Sequence, residues 1–352
     1  MTSVTSPPEC LLKPMVFPQK LMMGPGPSNC PPRVLNACAM PILGHLHPEF
    51  TKIMDEVKAG IKYMFQTQNE WTVCVSGTGH AAMEAACCNL LESGENTLVC
   101  CNGLWGERFS DMAERNGAVV QKIHKPMGEV FTLGDIEEVC VLSPDLYKNN
   151  KHNMPPKHWY IFKPVAHIYN CLLLVDSVAA CGGVPMFMDK WEIDALYTGS
   201  QKVLSAPPGV SPISFSSRAK SKIQSRKTKV RSWYFDMNEL SNYWGCDDGP
   251  RRYHHTGPIN TVYALREGLA RLADESSRLP CVSGVKVPDG VNWKDVSNYA
   301  MENYKVEIAG GLGAQAGKIW RIGVMGSNAT PDNVKMVLRA LGEAIKNVQR
   351  QK

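Results

Sequence analysis

Several features that mark other classes of protein are missing from this sequence. No apolar run approaches the roughly 18–20 residues that a membrane-spanning helix needs, and candidates such as Ala81–Leu91 are interrupted by charged or amide side chains. No CxxC pair occurs among the 13 cysteines, which argues against a structural zinc site and predicts free thiols. We also find no internal repeat, and the first residues lack the cationic start and apolar core of a signal peptide.

Acidic side chains are missing from one stretch, residues 218–231, although the rest of the chain contains many. The stretch holds seven basic residues: Arg218, Lys220, Lys222, Arg226, Lys227, Lys229 and Arg231. Since seven exceeds the formal net charge of +5, the remainder of the 352-residue chain is slightly acidic. No aromatic-rich signature of RNA or DNA binding surrounds the stretch, so we predict a solvated helix or loop rather than a nucleic-acid groove.

The composition that is present, with 44% hydrophobic and 20% charged residues, is typical of a globular chain. Apolar residues at three- and four-residue steps predict helices over 50–64, 81–91 and 108–116. Short apolar runs predict five strands: Trp71–Val75, Leu98–Cys101, Ala118–Lys122, Cys171–Val175 and Ile193–Thr198. Strands without polar alternation, separated by helices, indicate an α/β architecture whose mainly parallel sheet is covered on both faces.

A further helix is predicted near the end of the sequence. Thr330 is suited to cap its N-terminus, and Pro331 is suited to its first position. Its predicted apolar face consists of Val334, Val337, Leu338, Leu341, Ile345 and Val348.

Three features lie at the ends of predicted strands, where open α/β sheets bind ligands. The turn Ser76-Gly77-Thr78-Gly79-His80 opens a helix whose N–H groups can face an anion, although a plain strand–helix turn is the alternative. Asp176 ends an apolar strand, where it either caps the next turn or meets a ligand cation. Lys202 follows another strand and precedes the rigid segment Pro207-Pro208-Gly209, with a surface charge as the alternative.

Together the three features match the needs of one cofactor. Pyridoxal phosphate requires a phosphate cup, an acid beside its pyridinium nitrogen and a lysine that forms a Schiff base. The same chain order is used by the large fold of pyridoxal-phosphate aminotransferases. Further motifs are VSGTGHAAMEAA, CNGLWGERF, LLLVDSVAACGG, TGSQKVLSAPPG, NYWGCDDGPRRYHHT and GGLGAQAGKIWRIGVMGSNAT. On these motifs the chain closely resembles the alanine–glyoxylate (serine–pyruvate) aminotransferases of the class V, fold-type I family, over residues 10–140 and 170–348.

The resemblance implies a role for each site residue. Lys202 would bind the cofactor covalently and then act as the base at the substrate Cα, while Asp176 would keep the pyridinium nitrogen protonated. Arg321 would bind the substrate α-carboxylate in a bidentate fork, with Gly26 close to the substrate. The other implied cofactor contacts are Thr78, Gly79, His80, Trp105, Val178 and Gln201, together with Tyr253 and Thr256, which would reach the phosphate in the neighbouring subunit of a homodimer. Without the resemblance, Trp105 is equally well explained as a core residue.

The adjacent His254 and His255 suggest a metal site at first sight, but neighbouring side chains on a regular element point apart, so we predict none. We predict an N-terminal arm over 1–22, a cofactor-binding large domain over 23–260 and a smaller α+β C-terminal domain over 261–352. Residues 141–165 lack the cofactor-contacting turn of the family, and about one helix is missing near 273–281. These departures suggest an alternatively spliced, frame-disturbed or mis-assembled gene product.

The resulting functional expectation is transamination from alanine or serine to glyoxylate, giving pyruvate or hydroxypyruvate and glycine. Two alternatives remain open: a kynurenine or 3-hydroxykynurenine transaminase, and a catalytically impaired paralogue or isoform. The resemblance suggests a peroxisomal location, with a mitochondrial or cytosolic one as the alternative, because the last residues do not form an SKL-like tripeptide.

Overall fold

The structure of the protein is a computed structural model that describes residues 5–126, 129–142, 170–274 and 282–350. The atypical segment predicted over 141–165 and the shortfall predicted near 273–281 lie almost wholly outside the described residues. None of the described helices is long and apolar enough to cross a membrane.

Helices and strands alternate through most of the chain. The helices, in chain order, are α1 Pro32–Cys38, α2 Pro48–Phe65, α3 Gly79–Leu90, α4 Leu104–Arg115, α5 Leu133–Leu142, α6 Ser217–Gln224, α7 Met237–Tyr243, α8 Ile259–Asp274, α9 Trp293–Tyr304 and α10 Pro331–Arg350. The strands are β1 Leu21–Met22, β2 Trp71–Ser76, β3 Asn96–Cys101, β4 Val119–His124, β5 Leu174–Asp176, β6 Ala195–Tyr197, β7 Val210–Phe215, β8 Val282–Lys286, β9 Val306–Glu307, β10 Ala309–Gly310 and β11 Ile319–Gly323. The five predicted strands all form, although those at 171–175 and 193–198 are shorter than their apolar runs.

The larger sheet has the order β2-β7-β6-β5. Strands β5 and β6 are parallel, while β7 runs antiparallel to both β6 and β2. Strands β2, β5 and β6 therefore point in one direction, and their carboxyl ends meet at the same edge, close to the start of α3. The α/β fold predicted from the uninterrupted apolar strands is confirmed, with β7 as its reversed strand.

Strands β3 and β4 form a separate parallel pair, with Asn96 opposite Val119 and Cys101 opposite His124. Among the described strands, β3 pairs only with β4, and β5 pairs only with β6. The edges of β3 and β5 to which no described strand is paired line the same cavity.

Two hydrophobic clusters account for most of the buried apolar side chains. The larger one joins α2, α3 and α8 to the four-stranded sheet and includes Phe50, Ile213 and Leu265. The smaller one lies between β1, β9, β11, α9 and α10, around the fully buried Trp320. Truncating a buried tryptophan of this kind to alanine typically costs about 3–5 kcal/mol of stability. The predicted three-part domain division remains a prediction.

The C-terminal helix begins as expected, because the Thr330 hydroxyl accepts a hydrogen bond from the Asn333 N–H at 3.2 Å. Its buried face differs from the prediction, however. Leu338 is 62% exposed, and Ala340 and Ala344 are buried instead. Small residues on this face let α10 pack closely against α9, whereas apolar character alone indicated Leu338.

The prediction of a solvated basic stretch over 218–231 is wrong for several of its residues. The Arg218 guanidinium pairs with the buried carboxylate of Asp194 at 3.0 Å. The Arg226 Nη1 donates to the carbonyls of Asn89 and Leu91, at 2.8 Å each. These carbonyls lie at the C-terminus of α3, where no further turn of helix supplies donors. The basic side chains therefore cap a helix and satisfy a buried acid.

Candidate active site

Asp176 and Tyr197 lie side by side at the carboxyl ends of β5 and β6. The two residues are partners in the parallel register, and the Tyr197 hydroxyl donates to Asp176 Oδ2 at 3.0 Å. The Val178 N–H donates to Asp176 Oδ1 at 2.8 Å. Asp176 is exposed to the cavity, yet the protein atoms packed around its carboxylate reduce its solvation and raise the pKa of Asp176 above its usual range. The two hydrogen bonds and the nearby side chains of His80 and Lys202 oppose that rise and favour the carboxylate.

Lys202 reaches the same cavity from the turn after β6. Its Nζ donates to the carbonyl of Pro25, and its own backbone carbonyl accepts from the Ser28 hydroxyl at 2.6 Å. Burial is the main cause that lowers the pKa of Lys202, the positive charge of Arg321 adds to the effect, and Asp176 opposes it. The lysine is therefore held in a fixed position with a bias toward its neutral, nucleophilic form.

Gly26 forms the other wall beside this lysine. Its φ angle of +101° lies in the region that favours glycine, and a Cβ atom there would overlap the Lys202 side chain. The prediction that Gly26 lies close to the substrate stays a prediction.

The predicted phosphate cup is the N-terminus of α3. Thr78 is the N-cap residue, and its side chain makes no capping hydrogen bond. The Ala81 N–H donates to the Thr78 carbonyl at 2.7 Å, which leaves the N–H groups of Gly79 and His80 available among the described contacts. Gly77 precedes it with φ +153°, and its own N–H donates to the Gly209 carbonyl at 2.9 Å. A helix start with free N–H groups is suited to a phosphate.

One cavity of about 1440 Å³ joins most of the predicted site residues. The predicted residues that line it are Thr78, Gly79, His80, Trp105, Asp176, Val178, Gln201 and Lys202. The amide oxygen of Gln201 is buried and has no hydrogen-bond partner in the described part of the chain. Arg321, Tyr253 and Thr256 do not line this cavity.

Arg321 lies on β11, where its Nε donates to the Gly310 carbonyl at 2.7 Å. Burial lowers its pKa, and the negative charge of Glu307 opposes that effect. Within the described residues no hydrogen bond or ion pair occupies its two terminal nitrogens. The guanidinium is thus oriented by its Nε and leaves a fork open for a carboxylate.

Glu307 was not predicted, yet it joins the N-terminal glycine loop to the region of Arg321. Its Oε2 accepts a hydrogen bond from the Gly24 N–H at 2.7 Å, and β9, which contains Glu307, pairs in parallel with β1. Sequence patterns could not reveal this contact, because 283 residues separate its two partners.

Tyr253 and Thr256 lie on the surface of the chain. Tyr253 is 56% exposed, and its hydroxyl lies 3.4 Å from the Thr256 Oγ1. This placement leaves both side chains free to contact a second subunit, as the prediction requires.

The rings of His254 and His255 converge, contrary to the expectation that neighbouring side chains point apart. Their Nδ1 atoms are 2.7 Å apart, and His255 Nε2 lies 2.6 Å from the Ser76 hydroxyl. No group of three or more metal-ligating side chains occurs in the described segments. Through His255, the loop that contains the two histidines contacts Ser76, the last residue of β2 before the predicted phosphate cup.

Sequence reasoning missed Tyr197, which lines the cavity, and Arg108, which contacts a lining residue without lining the cavity itself. Tyr197 could have been found from its position, because it ends the strand next to the one that Asp176 ends. Arg108 on α4 contacts His80 on α3, and neither hydropathy nor residue spacing in the sequence indicates this contact.

Comparisons with known proteins show which family the chain belongs to. A profile of the family described as Aminotransferase class-V matches residues 23–278. Alanine–glyoxylate aminotransferase of Callithrix jacchus is 45% identical over 387 aligned positions, which cover 99% of this chain and 93% of that protein. The Drosophila melanogaster protein of the same name is 42% identical over 97% of this chain and 96% of its own length. The crystal structure of alanine–glyoxylate aminotransferase from a Nostoc species superposes with a TM-score of 0.86 at 38% identity, covering 94% of this chain and 97% of that one. The chain therefore belongs to the class-V aminotransferase family.

Proposed function

We propose that this protein is an aminotransferase that uses pyridoxal 5′-phosphate to move an amino group from alanine or serine to glyoxylate. The products are pyruvate or hydroxypyruvate, and glycine. The observation that carries the proposal is the single cavity that contains Lys202, Asp176 and the N-terminus of α3. The alanine–glyoxylate name of relatives that are 42–45% identical supports the substrate pair, and the kynurenine alternative gains no comparable support.

The residues present fit the cofactor. The free N–H groups at the start of α3 suit its phosphate, and the Asp176 carboxylate suits its ring nitrogen. The amide of Gln201, whose oxygen has no hydrogen-bond partner among the described residues, lies beside them, and rotation of that amide presents its NH₂ group to a phosphate oxygen. A Cβ atom at Gly79 would lie 3.3 Å from the Val178 side chain, so backbone and valine approach closely there.

When bound, pyridoxal phosphate supplies an electron sink that makes the substrate Cα–H acidic. The protein groups supply the rest. Asp176, as a carboxylate, would hold a proton on the ring nitrogen, and Tyr197 and Val178 hold Asp176 in place. Lys202, whose pKa is lowered by burial, would accept the proton from the substrate Cα and donate it to the cofactor carbon that carries the transferred nitrogen.

Arg321 would bind the α-carboxylate of the amino acid or the oxo acid. Its Nε is already committed to Gly310, so the two terminal nitrogens form the bidentate contact. The loop Gly24–Gly26 limits the space beside Lys202, which suits small substrates.

The central experiment mixes the purified protein, pyridoxal phosphate, L-alanine and glyoxylate, and measures pyruvate and glycine. We expect both products in equal amounts, no turnover from Lys202→Ala, and normal turnover from Lys229→Ala, which removes an exposed lysine. Turnover by Lys202→Ala at the wild-type rate would contradict the proposal. Replacing alanine by kynurenine in the same assay distinguishes the two transaminases.

The colour of the purified protein tests the impaired-isoform alternative. The alignment with the Callithrix jacchus protein has 387 positions, more than the 352 residues of this chain, so that protein has residues without a counterpart here. After incubation with pyridoxal phosphate and removal of the unbound cofactor, an isoform unable to bind it would be colourless, whereas the active enzyme would stay yellow.

We infer a homodimer in which Tyr253 and Thr256 contact the partner's cofactor phosphate. The exposure of Tyr253 and its absence from the cavity of its own chain support this arrangement. Mixing Lys202→Ala chains with Tyr253→Ala chains should give dimers with one complete site and partial activity. Size-exclusion chromatography with light scattering should give a mass near twice 38.9 kDa.

We also propose that the enzyme acts on glyoxylate inside peroxisomes. Its support is the resemblance described above. A full-length fluorescent fusion that fails to coincide with a peroxisomal marker would contradict the proposal, and coincidence with a mitochondrial marker would favour the alternative.

A further inference from the structure

Arg108 projects from the second turn of α4 toward the start of α3. Trp105 is three residues earlier on the same helix, so both side chains lie on one face. The Arg108 Nη1 lies 2.8 Å from His80 Nε2, and its guanidinium carbon lies 5.2 Å from the centre of the Trp105 ring. One arginine thus contacts the two aromatic groups that border the proposed cofactor cup.

The hydrogen bond to His80 determines where the imidazole carries its proton. A guanidinium has only donors, so His80 Nε2 must offer a lone pair. In this geometry His80 Nε2 accepts the hydrogen bond, so the imidazole N–H lies at Nδ1.

Trp105 depends on the same arginine for its orientation. Its side chain is 48% exposed, and the His80 ring meets it edge-on at 5.2 Å with an interplanar angle of 66°. A cation above an indole face is attracted by the negative charge density of that face. Arg108 on one side and His80 on another therefore hold an otherwise exposed ring.

No carboxylate neutralises Arg108 within the described ranges 5–126, 129–142, 170–274 and 282–350, since every ion pair there involves other basic residues. Its neighbour Glu107 instead pairs with Lys122 at 3.2 Å. The side chain of Arg108 therefore contacts His80 and Trp105 and forms no ion pair with a described carboxylate.

We propose that Arg108 is a positioning residue of the cofactor site, which holds His80 in its Nδ1–H form and braces Trp105 against the space that the cofactor ring would occupy. The inference rests on the proposed function, because the cofactor is the group that His80 and Trp105 would contact. Arg108 acts through these two residues and does not line the cavity itself.

The test measures cofactor binding rather than turnover. Full-length Arg108→Met, Arg108→Lys and, as control, Arg115→Met are stripped of cofactor and titrated with pyridoxal phosphate. Arg115 lies two turns further along α4 and pairs with Asp111, away from the cup. The readouts are the dissociation constant and the visible circular dichroism per bound cofactor, which reports how rigidly the ring is held.

We expect Arg108→Met to weaken binding about tenfold and to reduce the circular dichroism, consistent with the loss of one charged hydrogen bond and one cation–π contact. Arg108→Lys keeps the charge, so its dissociation constant and circular dichroism should lie between those of wild type and Arg108→Met. If Arg108→Met does not fold, Arg108→Lys alone is compared with wild type. Values for Arg108→Met and Arg108→Lys equal to those of Arg115→Met would overturn the inference.

A double-mutant cycle tests whether Arg108 acts through its neighbours. In a His80→Ala, Trp105→Ala background, the loss caused by Arg108→Met should shrink to less than about twofold. A full tenfold loss in that background would overturn the positioning role. Failure of the wild-type protein to bind pyridoxal phosphate would instead overturn the proposed function, and this inference with it.

Discussion

The cofactor side and the substrate side of the site are assembled in different ways. The cofactor side consists of Asp176, Tyr197 and the start of α3, which lie at the ends of neighbouring elements of one sheet. The substrate side brings together Gly24, Glu307 and Arg321, which come from opposite ends of the chain. The position of the cofactor side is therefore determined by the strand order of one sheet. The position of the substrate side is determined by the pairing of strands that are far apart in the sequence.

The largest effect should come from the cofactor side. We expect Asp176→Asn to lower kcat about 10³-fold, because a neutral amide cannot stabilise a protonated ring nitrogen. Steady-state kinetics with alanine and glyoxylate provide the measurement. Tyr197→Phe is the matched variant, since it removes a neighbouring hydrogen bond and leaves the carboxylate, and it should cost no more than about tenfold. A kcat of Asp176→Asn above a tenth of the wild-type value would show that the charge of this carboxylate contributes less to catalysis than we expect.

A smaller effect, confined to the other side, should follow from Arg321→Gln. Losing a bidentate contact to the α-carboxylate should raise KM for alanine about 100-fold. The affinity for pyridoxal phosphate should stay at the wild-type value, since Arg321 does not line the cofactor cavity. Arg339→Gln, an exposed arginine that pairs with Glu343, serves as control. Equal losses of cofactor affinity and substrate affinity in Arg321→Gln would mean that the two sides are not separable.

The smallest effect concerns the link between Ser76 and His255, at the edge of the cofactor side. Burial and the adjacent His254 lower the pKa of His255 to about 4, against about 6.5 for an unfolded histidine. Between these values the unfolded chain binds a proton that the folded chain does not, so the free energy of unfolding falls as the pH is lowered from 7 to 5. We expect His255→Gln to reduce this fall by about 1 kcal/mol, after allowance for solvent screening. Urea unfolding at both pH values, with the exposed His124→Gln as control, gives the answer; identical pH dependence in wild type and His255→Gln would contradict it.

The cofactor side could largely be predicted from sequence because its chemistry lies at strand ends. Asp176, Lys202 and the turn before α3 each follow an apolar run, and the sheet places such positions at one edge. Tyr197 was missed although it occupies an equivalent position, since a tyrosine in a strand is usually a packing residue.

The substrate side could not be predicted in the same way. Periodicity describes near neighbours, whereas the contact of Gly24 with Glu307 depends on the pairing of β1 with β9. Resemblance indicated Arg321, but not the acid beside it. The pairing of Arg226 with the end of α3 was missed for a similar reason, because backbone carbonyls leave no trace in a sequence.

The pairing of β1 with β9 also bears on the order in which the protein is made. Synthesis starts at the N-terminus and adds about 5–20 residues per second, so roughly 6–24 seconds separate Lys202 from Arg321. During that interval the nascent chain already contains the residues of the cofactor side, up to and including Lys202. Strand β1 meanwhile has no β9 to pair with, and the glycine loop has no Glu307 to bind. Cofactor capture can thus precede substrate recognition during synthesis, and a chain that ends before residue 306 would possess the first capacity without the second.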